Sequence, residues 1–188
     1  MNRTDRLPAS AVESEEERRM SNISFEPADD PEVEQLAATL DQARDGNPLL
    51  FDILQFNWEN AGEQPDYPAL LDAFVALFDY TGLGAHWIEL RRGIARKLLI
   101  HVLHEGLAYP EAMMDLELAE ACAERFLEFF ASGTRYFTNG TCSGEAAIYT
   151  LDGRQVLGWR PISSATFDNG VIAVSSDRIG IVWAEDAD

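Results

Sequence analysis

The sequence predicts an α+β fold in which N-terminal helices pack on a C-terminal antiparallel sheet of about five short strands. Up to residue 132 the apolar residues recur at helical spacing between Gly and Pro punctuation. After Gly133, short runs rich in Tyr, Phe, Ile and Val alternate with Asn-Gly, Asp-Gly and Ser-Ser-Asp turn signals. A sheet of short strands needs a helix over one face, so one shared core is expected rather than two domains. The partition is a disordered acidic tail over 1–30 and a single α+β domain over 31–188, helical over 31–132 and sheet over 133–188.

The tail is assigned because residues 1–30 are polar and charged with no apolar periodicity. Met20-Ser21 inside it offers an alternative translation start. Pro31 to about Arg44 reads as a helix, with Asp30 as N-cap, Pro31 at the first position, Gly46 past the end, and Val33, Leu36, Ala37 and Leu40 on one face. Pro48–Asn57 is strongly apolar but too short to type, and the polar stretch Asn57–Asp66 is a loop. Pro68 opens a helix bearing Leu70, Leu71, Phe74, Val75, Leu77 and Phe78. A longer helix is expected from His86 to Glu105, and a last one from Pro110 to about Ala131. Ala146–Leu151 and Arg154–Trp159 should form a hairpin across Asp152-Gly153 with a type I′ turn. Val171–Val174 and Ile179–Ala184 should form a second across Ser175-Ser176-Asp177, and Arg135–Thr138 a fifth strand. Trp159, Ile172, Val174, Ile181 and Trp183 are the expected core of this part.

Charge narrows the function. Acids number 33 against 14 bases, a net charge of −19, and Lys97 is the only lysine. Direct contact with nucleic acid or an anionic membrane is therefore unfavourable, and a basic partner is favoured. The first 20 residues carry no apolar signal-peptide core, and no run approaches the ~18 apolar residues of a membrane span, so a soluble cytoplasmic protein is expected. The arginine bias suggests a GC-rich bacterial genome. Cys122 and Cys142 are too few for a disulfide framework or a zinc site and read as reduced thiols.

Three motifs bear on chemistry. Gly140-Thr141-Cys142-Ser143-Gly144 matches a nucleophile elbow, yet a strand rather than a helix follows it and His86, His101 and His104 all precede it. His101, His104 and Glu105 share a helix face, but no further histidine completes a metal site, and local hydrogen bonding is the expected role. Arg91, Arg92, Arg96 and Lys97 form the one basic cluster and are expected to pair with neighbouring acids. No phosphate-binding glycine loop occurs, and no cofactor is implied.

The acidic stripe on the helix after Pro110 is the leading candidate surface. Glu117, Glu120, Glu124 and Glu128 fall within roughly an 80° arc, with Leu116, Ala119, Ala123, Phe126, Leu127 and Phe130 turned inward. No base relieves it from i±4. Glu59, Glu63 and Asp66 belong to a second acidic region; from Pro31 to Gly84 there are ten acids and one base, Arg44. The favoured function is a small acidic inhibitor that neutralises a basic protein, such as an immunity protein against a nuclease-type toxin, or a nucleic-acid mimic. The alternative is an enzyme or small-ligand binder with a pocket between helices and sheet. A contiguous negative face with no deep polar pocket would favour the first, a deep cleft with converging polar groups the second.

Overall fold

Strands open the described chain as well as close it. The structure, a computed structural model, describes residues 23–44, 46–58, 65–141 and 148–186. Its elements are β1 (Ile23–Pro27), α1 (Pro31–Arg44), β2 (Leu49–Trp58), α2 (Tyr67–Ala76), β3 (Ile88–Leu90), α3 (Arg92–His104), α4 (Leu116–Glu128), β4 (Arg135–Thr138), β5 (Phe167–Val174) and β6 (Arg178–Asp186). One six-stranded antiparallel sheet runs in the order β1-β2-β6-β5-β4-β3. The expected order of helices first and sheet last, with about five strands, is thereby corrected. Half of the sheet comes from segments before Arg92, interleaved with the helices.

Burial on both faces explains why β2 resisted typing. Leu49, Phe51 and Ile53 join one apolar cluster, while Leu50, Leu54 and Phe56 join the other. A strand covered on both sides loses the alternation that marks a half-exposed one. The first cluster lies under α1, α3 and α4, where Leu36, Leu98, Leu99, Phe126 and Leu127 meet Ile53, Val171, Ala173 and Val182. The second lies under α2, where Leu70, Leu71, Phe74 and Val75 meet Ile172, Val174, Ile181 and Trp183. The central hairpin of β5 and β6 is thus buried along almost its whole length. Gly170 is needed there, because a Cβ would stand 2.7 Å from the Trp183 ring.

The local stop signals work where they are local. Helix α1 has the expected bounds, with the Asp30 side chain accepting from the Glu32 amide at 3.1 Å. Asp66 caps α2, and β4 spans the expected residues. Arg44, the last residue of α1, is buried and donates to the Val102 carbonyl at 3.1 Å, near the C-terminal end of α3. Burial lowers its pKa, with Asp186 acting against the shift.

Other boundaries are corrected. Residues 23–27, expected in the tail, form β1, where Phe25 pairs with Phe56 and packs on Phe74 at 5.7 Å; residues 1–22 lie outside the described residues. Ile88–Leu90, expected to be helical, is the edge strand β3, and α3 begins only at Arg92. Helix α4 begins not at Pro110 but after Asp115, whose carboxylate accepts from the Glu117 amide at 2.9 Å. Leu116 therefore sits at an exposed first turn instead of facing inward.

In the expected 146–159 hairpin, 142–147 lie outside the described residues. The rest makes only isolated bridges, Tyr149 to Gln155 and Trp159 to Gly140, and Trp159 is half-buried. Its turn is not type I′, which needs positive φ at both central residues. Only Gly153 has one, and the Gly153 amide donates to Thr150 O at 2.9 Å, centring the turn on Leu151-Asp152.

Candidate functional site

Helix α4 is amphipathic because its inward positions are small or apolar: Ala119, Cys122, Ala123, Phe126 and Leu127 are buried. The outward stripe is real but unequal. Glu117, Glu120 and Glu128 are exposed, whereas Glu124 is half-buried. The relief missing along the helix arrives from outside it. Arg96 of α3 pairs with Glu124, and Arg92 stands 3.9 Å from it. Arg125 reaches Glu128 at 3.2 Å and Glu32 of α1 at 2.6 Å. Each such exposed pair contributes about 0–1 kcal/mol, so their main effect is to cancel charge.

The N-terminal half of α4 keeps its charge. No lysine or arginine occurs between Leu98 and Glu124, and among the described residues the carboxylates of Glu117 and Glu120 meet no base. The same segment holds three exposed apolar side chains, Tyr109 (62%), Leu116 (46%) and Leu118 (37%), alongside exposed Glu111 and Asp115. Such groups mark a docking surface where they form one patch rimmed by polar ones, whereas single exposed apolar residues are ordinary. Between α1 and α4 lies a shallow groove of about 240 Å³, lined in part by Glu32, Leu36, Leu118, Cys122 and Arg125. Glu34 and Asp41 of α1 are also exposed, but they fall on the side of that helix turned away from the groove.

Of the second acidic region, the described residues Asp66 and Asp72 do not join this surface. Asp66 belongs to α2, on the opposite face of the sheet, where it accepts from the Ala69 amide. Asp72 of α2 accepts from the Leu83 amide at 2.9 Å and the Trp87 indole at 2.7 Å, fastening the loop after α2. Glu59 and Glu63 lie outside the described residues.

The remaining motifs are locally engaged. His101 lies 3.4 Å from Glu105, and His104 Nδ1 lies 2.8 Å from the Met114 carbonyl. Among the described residues no group of three or more His, Cys, Asp or Glu is gathered for a metal ion. Burial raises the Cys122 thiol pKa. Of the elbow motif, Gly140 bridges to Trp159 with φ +137°, and Cys142–Gly144 lie outside the described residues.

One polar constellation was not legible beforehand. Asp168 is completely buried, and its carboxylate accepts from Asn139 Nδ2 at 2.6 Å, the Ile162 amide at 2.7 Å and the Ser163 amide at 2.6 Å. Asn169 Nδ2 donates to Asn139 Oδ1 at 2.8 Å and to Gly140 O at 2.9 Å. Burial raises the Asp168 pKa despite these donors. Across the strand pair stands Glu185, which accepts from the Tyr80 hydroxyl; burial, then this bond and the charge of Glu185, hold the Tyr80 pKa far above its usual value. The network ties residues 160–163 onto β5, which is a structural task. The signal was present as Asp-Asn-Gly but reads as a turn. No family model, curated protein or solved structure matches the chain. No described helix is long and apolar enough to cross a membrane.

Proposed function

We propose that the protein is a small cytoplasmic inhibitor that binds a basic protein and neutralises it, in the manner of an immunity protein against a nuclease-type toxin or of a nucleic-acid mimic. The observation that carries this reading is the segment 109–120. It combines exposed Tyr109, Leu116 and Leu118 with Glu117 and Glu120, which meet no base among the described residues, in a chain of net charge −19. Acids supply long-range steering toward a cationic surface, and the exposed apolar groups supply area to desolvate on contact. The contact centres on Glu117 and Glu120. Glu124 and Glu128, already paired with Arg92, Arg96 and Arg125, sit at its rim.

The test begins with capture of the partner from native lysate, followed by association kinetics. The Glu117→Lys/Glu120→Lys variant should slow association about tenfold or more at low salt, and wild-type association should slow steeply past ~0.15 M salt, where the Debye length is about 8 Å. A salt-insensitive on-rate unaffected by the double reversal refutes the reading.

A further inference from the structure

A second surface has the opposite charge character. Beside edge strand β3, a cavity of about 320 Å³ opens between His86, Ile88, Asn139 and the segment Leu157–Arg160. Ligand pockets start near this size. Among the described residues no carboxylate lines it, although the chain has 33 acids to 14 bases. Its cation is also unusual for this molecule. Among the described residues, Arg91, Arg92, Arg96, Arg125, Arg135, Arg154 and Arg178 each meet a carboxylate or carbonyl, as does buried Arg44. Arg160, itself exposed, meets neither, and it lines the cavity. Lys97, the other base without such a partner among the described residues, is an exposed helix residue outside the cavity lining.

The apolar part of the cavity is equally defined. Trp159 is half-buried, and Phe167 stacks on it at 5.6 Å and 29°, which holds the indole in place. Its indole nitrogen finds no acceptor among the described residues. Leu157 is 84% exposed, an apolar side chain left in water at the same site. Asn139 forms a rigid floor, because its amide is fully engaged with Asp168, Asn169 and the Arg160 carbonyl.

We propose that this cavity binds a small organic anion, a carboxylate or phosphate on a flat apolar body. Arg160 and His86 meet the charged group, while Trp159 and Leu157 cover the apolar part. A guanidinium forms paired charge-assisted hydrogen bonds to either head group, and an aromatic wall suits a planar body. The site is independent of the acidic surface on α4, so its failure would leave the proposed inhibitor function standing.

The test compares 2-naphthoate with its neutral counterpart 2-naphthamide in titrations of the full chain, read by tryptophan fluorescence and by amide NMR shifts. Wild-type protein should prefer the naphthoate by about tenfold or more, the scale of one charge-assisted hydrogen bond. Arg160→Gln should abolish that preference with an unchanged circular dichroism spectrum. Arg154→Gln, at a residue already paired with Asp152, should retain it. Running 1-naphthyl phosphate alongside identifies the head group by whichever anion binds tighter. Equal binding of acid and amide, a preference that survives Arg160→Gln, or no binding of either anion at millimolar concentration would overturn the proposal.

Discussion

Replacing Asp168 by alanine tests whether the buried network holds the 160–163 segment on the sheet. The substitution removes the acceptor of two backbone amides, Ile162 and Ser163, and of one Asn139 bond. Asn139 Nδ2 keeps the Arg160 and Asp168 carbonyls, and half-buried Ser163 can turn to water. The Ile162 amide, on a buried residue, is left unsatisfied at about 1–3 kcal/mol. The space left by the carboxylate adds to this, while release of a desolvated charge subtracts. A net loss of about 2–3 kcal/mol is expected, read by urea unfolding at pH 7.

The pH dependence has a definite sign. Burial raises the Asp168 pKa in the folded state, so the folded protein holds that proton more tightly than the unfolded chain. Its contribution to stability is fully present below the ordinary carboxylate pKa of about 3.9 and is lost as pH rises through the raised folded value. The penalty for Asp168→Ala should therefore grow as pH falls from 7 toward 4. A penalty below about 0.5 kcal/mol, the range of an ordinary surface change, or one that shrinks on acidification would refute the argument.

Arg44→Ala should cost about 2 kcal/mol by leaving the last carbonyls of α3 without their buried donor; thermal melting checks it, and an unchanged midpoint would assign those carbonyls to water. Phe25→Ala should lower stability by about 2 kcal/mol, since it uncovers Phe74 and Phe56; full stability would mean that β1 is dispensable. Glu124→Lys should destabilise by about 1 kcal/mol through loss of its pairs with Arg92 and Arg96 and the resulting repulsion. Glu120→Lys should stay within about 0.5 kcal/mol, and denaturant midpoints for the two variants separate these roles.

What could be read along the chain was what depends on neighbours in the chain. The bounds of α1 follow from Asp30, Pro31 and Gly46, and the β5–β6 hairpin from β-branched runs around Ser175-Ser176-Asp177. The glutamate face of α4 follows from its spacing alone. Tertiary structure decided the rest. Ile23–Pro27 and Ile88–Leu90 are strands only because Trp58 and Thr138 stand opposite them, and β2 hides its period by burying both faces. Asp168 looks like a turn residue until the fold closes donors around it. Which glutamates remain unpaired was likewise set by Arg96, 28 residues before Glu124. Caps, turns and periodicity act over a few bonds, whereas strand pairing, desolvation and ion pairing depend on groups brought together only when the chain folds.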